Sequence, residues 1–292
     1  MMSFTISRVL RPSLIKCPGI RNFAVQAAQV KQDDKKLDVN VRKSIAPIEY
    51  RHIYPEFIPD PEVNRRNTLR EKLERHDMLQ RRSRIDIPEF YVGTIMAVTT
   101  SDLHSPGKTS RFLGICIKRE GCGLRAKFIL RNVIDHQGVE VLYDMYDPSI
   151  QKVDVIRLEK RLDDELLYLR DALPEYSTFE LNMEPEIMAE GTTVPVNDTK
   201  VKLKPRPWLE RWERKNLKGV QDLGLQERFY KRAEQLATPW EKYDLMKQYR
   251  ATIPEEEQSE IFAEIYSKLH DLELQRKKMK RKRTFIKPTK LA

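Results

Sequence analysis

Between residues 92 and 158, apolar and polar side chains alternate in short runs broken by turn residues. The runs "VGTIMAVTT", "RFLGICIKR", "LRAKFILRNVI", "GVEVLYDMY" and "IQKVDVIRL" are rich in β-branched and aromatic residues, and "SDLHSPGK", "EGCG", "DHQG" and "DPS" separate them. In the third run Phe128 and Leu130 share one face, and Lys127, Ile129 and Arg131 the other. The pattern predicts five antiparallel strands. Five short strands in about seventy residues cannot hide both faces in a flat sheet, so closure into a small SH3-like barrel is the expected architecture.

The period changes on either side. After the strands, Leu158, Leu162, Leu166, Leu169 and Leu173 recur at helical spacing up to Pro174, which predicts a helix packed on the barrel or on a partner. Before them, prolines 47, 55, 59 and 61 keep the chain extended, and Asp60-Pro61 reads as an N-cap followed by Pro at the first helical position. The stretch that follows, to Arg84, has too few apolar residues for a core helix and predicts a solvated cationic rod or one lying along RNA. Beyond residue 174 an irregular stretch covers about 180–200. Thr238–Glu241 ("TPWE") and Thr252–Glu255 read as capping boxes, the second opening a helix with Ile261, Ile265, Leu269 and Leu272 on one face. The fold expected is a mainly β core, a small SH3-like antiparallel β-barrel, flanked by long helical N- and C-terminal extensions. Its parts are a presequence (1–33), an N-terminal extension with a basic helix (34–86), the barrel (87–158), a helix closing the core (159–173) and a helical C-terminal extension (174–292).

The first residues carry Arg8, Arg11, Lys16 and Arg21 with no acid before Asp33 and no unbroken apolar run, the composition of a mitochondrial presequence. No apolar run is long enough to span a membrane. Over the whole chain 34% of residues are charged, mean hydropathy is −0.63 and net charge is +10, so one modest core with long arms and a polyanionic partner is expected. Cys17, Cys116 and Cys122 form no disulfide framework, which favours a reducing compartment.

The stretch "KREGCGLRAKFILR" (118–131) admits a metal or redox loop, a phosphate-cradling turn or a cation-bearing hairpin. Cys116 and Cys122 lack the paired C-x-x-C spacing of zinc and redox sites. "EGCGLR" lacks the strand–loop–helix setting and G-K-[ST] ending of a nucleotide loop, so its glycines are read as turn residues with positive φ. Asp163, Asp164 and Glu165 fall on a polar helix face, and no Ser or Cys sits in a nucleophile motif. No active site and no cofactor are expected.

The cations remain. Lys108, Arg111, Lys118, Arg119, Arg125, Lys127 and Arg131 occur on consecutive barrel segments, where they reach a phosphate backbone without a cleft. Arg81, Arg82 and Arg84 of the rod join them. Arg206 and Arg211 stand among Trp208 and Trp212, which either stack on unpaired bases or anchor to protein. The end, residues 276–290, contains no acid.

The order of short motifs resembles the bacterial-type L-nineteen family of large-subunit ribosomal proteins, in its mitochondrial form. "PEFYVG" (88–93) matches the family's opening of the barrel and "FLGICI" (112–117) its next strand. Gly123-Leu124 with Phe128–Arg131 match its hairpin, Gly138–Glu140 its "G-V-E", Asp147-Pro148 its turn, and Leu166–Arg170 its "L-x-Y-L-R". The resemblance covers about residues 86–173. It implies an SH3-like barrel in the large subunit of the mitochondrial ribosome, bound to large-subunit rRNA and neighbouring mitochondrial ribosomal proteins, and near small-subunit rRNA at an intersubunit contact. Carried over by position, Arg125, Lys127, Arg131 and Arg170 become RNA contacts. Where the family continues into a basic tail, this chain has Asp163, Asp164, Glu165, Asp171 and Glu175, which points that segment toward a protein neighbour. The competing function is an SH3-like RNA-binding translation or transcription factor that cycles on and off its target; a thiol- or metal-dependent enzyme using Cys116 and Cys122 is a third.

Overall fold

The computed structural model describes residues 46–47, 49–189 and 192–284. The predicted presequence lies outside the described residues. The five alternating runs form strands β1 (Ile95–Ser101), β2 (Thr109–Glu120), β3 (Lys127–Ile134), β4 (Gln137–Asp144) and β5 (Ile150–Arg157). They make one antiparallel sheet in the order β4-β3-β2-β1-β5. β4 and β5 are its edges, and no pairing joins them, so the sheet is open. The 12-residue β2 is shared lengthwise. Thr109–Ile115 pairs with β1 and Ile115–Glu120 with β3, with an irregularity between Cys116 and Lys118. The β3–β4 turn is two residues, Asp135 and His136, both at positive φ, which suits the twist of a tight hairpin.

Both faces of this sheet are covered by the extensions. Met96, Val98, Cys116, Phe128 and Leu130 pack with Phe57, Met78 and Phe90 from before the sheet, and with Ile261, Phe262, Ile265 and Leu269 from the far end of the chain. Elsewhere Ile115 and Ile117 pack on Leu166, Tyr168, Leu169, Val201 and Trp212. Ile95, Ala97, Leu113 and Ile156 meet Phe179 and Met183. Four consecutive residues of β1, Ile95 to Val98, are therefore buried on alternating sides.

Several helical expectations change. After the single turn α1 (Tyr50–Ile53), the basic helix α2 runs from Thr68 to Arg84, starting later than Asp60-Pro61. Asp60 instead accepts from the Glu62 N–H at 3.0 Å in a local turn, and Asn67 is the N-cap, accepting from the Arg70 N–H at 3.1 Å. Nor is α2 a solvated rod: Met78 and Leu79 are buried in the core. The leucine-spaced segment 159–173 is not an α-helix. It holds β6 (Lys160–Arg161), paired in parallel with β7 (Val196–Asn197), and a 3-10 turn at Leu167–Arg170. Tertiary bonds displace the helical ladder there. Leu166 N–H donates to Ile117 O at 2.9 Å, and Asp163 accepts from the Lys218 and Gly219 N–H groups, both at 2.8 Å. In the C-terminal extension α3 (Glu227–Leu236), α4 (Leu245–Arg250) and α5 (Glu255–Thr284) are helical. "TPWE" forms a 3-10 turn without a side-chain cap from Thr238, while Asp244 caps α4. Among the described residues, no helix is long and apolar enough to cross a membrane.

Candidate nucleic-acid interface

The "EGCG" turn is built on glycine. Gly121 and Gly123 have φ of +80° and +62°, and a Cβ at Gly121 would strike the Arg125 carbonyl. A Cβ at Gly123 would strike the Glu74 carboxylate, so the absence of a side chain lets the turn lie against α2. That approach creates a groove lined by Asp77, Gln80, Arg81 and Arg84 of α2, Leu124 of the β2–β3 turn, and Tyr146 and Pro148 of the β4–β5 connection. Arg81 donates through Nη2 to the Asp147 and Ile150 carbonyls at 3.0 and 2.8 Å, bracing that connection. Arg84 is exposed and makes no ion pair among the described residues. Arg125 is exposed on the same turn as Leu124; its guanidinium makes a long contact of 3.9 Å to Cys122 Sγ, and its charge acts on Asp60.

The remaining predicted cations divide into three groups. Some are locked. Arg82 and Arg119 both bond the buried Glu56 carboxylate, at 2.6 and 3.0 Å, and Arg82 also donates to Tyr146 Oη and to the Ile87 carbonyl. Burial works against the Arg82 charge, but Tyr146 and Glu56 outweigh it and hold its pKa above the ordinary arginine value. Arg82 is 4% exposed and turned into the core, which argues against the RNA contact expected for it from the sequence. Arg119, its side chain 12% exposed, is turned inward with its guanidinium over the Phe90 ring. Arg131 and Arg170 likewise share one carboxylate, Glu140, at 2.6 and 2.7 Å. Burial would raise the Glu140 pKa, yet the hydrogen bonds from Arg170 and Arg131 win and hold it below the ordinary range.

A second group is paired at the surface. Lys127 meets Asp144 at 3.4 Å, and Lys118 meets Glu120 at 2.9 Å and Glu165 at 3.5 Å. Such exposed pairs are worth little and exchange readily for a phosphate. The third group is remote from the groove. Lys108 and Arg111 lie at the opposite end of β2 from the hairpin turn, both exposed, and Arg111 donates to the Leu181 carbonyl at 3.1 Å. Arg206 lies 3.9 Å over the Phe229 ring, and Arg211 is exposed. Trp212 is buried and donates to Asp171 Oδ2 at 2.7 Å, and Trp208 bonds the Lys204 carbonyl, so both anchor to protein.

The structure thus places Arg81 and Arg84 in one groove, with Arg125 exposed on the adjoining turn. The sequence reading missed Glu56 and Glu140, the carboxylates that withdraw four of the predicted cations. They lie 26 and 63 residues from Arg82 and Arg119, and 9 and 30 from Arg131 and Arg170, and only the nearest pairing had a sequence signal, as cross-strand neighbours in a hairpin. Among the described residues no three His, Cys, Asp or Glu side chains gather as metal ligands. Cys116 is buried in β2, where burial pushes its thiol up to about 12.

Compared with known proteins, residues 69–178 match the family model for ribosomal protein L19. The large ribosomal subunit protein bL19m of Drosophila melanogaster is 66% identical over 253 residues, 86% of this chain and 83% of that one. The large ribosomal subunit protein bL19 of Malacoplasma penetrans is 36% identical over 89 residues, 30% of this chain and 61% of that one. The bL19c protein of Spinacia oleracea is 31% identical over 93 residues, 32% and 40% of the two chains. The family match contains α2, the hairpin and Arg170, and ends before Arg206 and Arg211.

Proposed function

Because this chain belongs to the L19 family of large-subunit ribosomal proteins, in its mitochondrial form, it is a structural constituent of the mitochondrial ribosome, and we propose that it acts by clamping rRNA phosphates in the α2–hairpin groove. The observation that carries this reading is the placement of Arg81 and Arg84 in one groove with Arg125 exposed on the adjoining turn, Arg84 making no ion pair among the described residues. Guanidinium groups so placed give bidentate phosphate contacts, and Leu124 and Pro148 supply a nonpolar floor for a ribose. Lys118 and Lys127 flank the hairpin as secondary contacts. The role involves no catalytic step and no cofactor.

The SH3-like barrel is part of the proposal. The connection from Asp144 to Ile150 joins the two edges of a five-stranded sheet, which in a flat sheet lie about 19 Å apart. Six residues reach that distance only when nearly extended. Here the connection is folded, with Asp147 N–H bonded to Asp144 O and Ile150 N–H to Asp147 O, so the sheet must curl to bring its edges together. Neighbouring ribosomal proteins are the partners of the exposed C-terminal extension, and small-subunit rRNA at the subunit interface is a further one.

Purified full-length chain binding a transcript of mitochondrial large-subunit rRNA should lose affinity steeply with salt, each neutralised phosphate adding about 0.7–0.9 to the log–log slope. A flat response overturns the proposal. In a sucrose gradient of mitochondrial lysate the chain should sediment only with the large subunit and the monosome; a substantial free pool would instead indicate a cycling RNA-binding factor.

A further inference from the structure

Helix α5 divides its charge in two. From Glu255 to Gln275 it carries seven carboxylates against one lysine, and from Arg276 to Thr284 it carries only cations. The acidic part is used within the chain. Glu257 pairs with Arg66 at the start of α2, and Glu257, Glu260 and Glu264 line a groove with Lys72 and Arg75. Beneath them Ile261, Ile265 and Leu269 are buried in the core. This half therefore neutralises the part of α2 that read in the sequence as a cationic rod.

The basic part begins at a clamp. Arg276 bonds Asp86 and the carbonyls of Arg82 and Ile85 at the C-terminus of α2. One cation there suits the helix end. Beyond it, Lys278 and Arg281 are exposed and without an ion pair among the described residues. We propose that α5 beyond Arg276 is a second polyanion site, seating the phosphate backbone of large-subunit rRNA. The inference rests on the reading that this chain is anchored on rRNA, and adds a contact outside the family match. An anionic membrane is the other polyanion to consider, but an interfacial helix needs an apolar face, and Met279 is the only large apolar residue between Gln275 and Thr284.

The test uses the full chain and a transcript of mitochondrial large-subunit rRNA, with affinity measured over a salt series. The variant Lys278→Gln/Lys280→Gln/Arg281→Gln should lower the log–log slope by about 2–3. The charge-keeping variant Lys278→Arg/Lys280→Arg should retain it. The pair Lys278→Gln/Arg281→Gln, which touches only exposed residues, should lower it by about 1.4–1.8 even if the triple variant proves unstable. An unchanged slope in these variants, while Arg84→Gln/Arg125→Gln lowers it, overturns the α5 site and leaves the groove standing. A flat wild-type response overturns the groove and the α5 site together. Vesicles of phosphatidylcholine and phosphatidylserine form the second arm. Wild-type retention on them that the triple variant loses, with no change in RNA slope, would assign the helix end to a membrane and overturn the proposal.

Discussion

Arg82 and Arg84 are two residues apart on one helix and have opposite fates. Arg82 points into the core, where Glu56, Tyr146 Oη and a carbonyl take its donors and the Tyr54 and Phe57 rings flank it. Arg84 points out beside Leu124 and makes no ion pair among the described residues. A helix turns by about 100° per residue, so a spacing of two is enough to change sides. The same division runs through the hairpin, where Arg119 faces Glu56 and Arg125 faces solvent. What separates a buried, paired arginine from an exposed one here is a carboxylate brought up by the tertiary fold, and local charge density says little about it.

The sharpest way to break this contrast is Glu56→Gln. It leaves two inward guanidinium groups without a carboxylate and should cost about 3–5 kcal/mol, read as a lower urea midpoint with an unchanged m-value. An unaltered midpoint would mean that packing around the rings, and not charge, holds Arg82. Glu140→Gln tests the more exposed pair of arginines and should cost less, about 1–2 kcal/mol after solvent screening of the half-exposed Arg170. Its effect depends on pH. The folded-state pKa of Glu140 is depressed, so its stabilisation is present above the ordinary glutamate value of about 4.3 and is lost as pH falls through the lower folded value. Wild-type and variant stabilities should converge on acidification below that range; a gap that persists in strong acid would contradict the ion pair. Arg84→Gln/Arg125→Gln should move stability by no more than about 0.5 kcal/mol while lowering the salt slope for rRNA by about 1.4–1.8, the reverse of the Glu56 outcome. The smallest effect concerns the thiols. Cys116, buried and with its pKa pushed up to about 12, should stay unalkylated in the folded chain at neutral pH, with Cys122 reacting before it, as followed by mass spectrometry.

The strands were legible because their signal is local. A two-residue alternation with glycine and proline punctuation survives any tertiary context, and all five runs fell where the pattern placed them. The segment from Leu158 to Leu173 was not legible, because leucines three or four apart suit a helix as well as a strap folded over a sheet. Long-range bonds to Ile117, Lys218 and Gly219 decide between the two. The basic helix misled for a related reason. Its few apolar residues, Met78 and Leu79, suffice for the core because Phe57 and α5 supply the rest. At the site, the cations could be counted but not sorted, since the sorting depends mostly on partners dozens of residues away.

The sheet's two covers also arrive at different times. A chain made from its N-terminus completes β5 at Arg157 with α2 already in hand. It does not possess Trp212, and still less Ile261 to Leu269, until much later. During that interval Ile115, Ile117 and part of the Met96–Phe128 side lack their final neighbours. A chain stalled or trimmed before α5 therefore leaves bare apolar surface of the first strands that the complete chain covers.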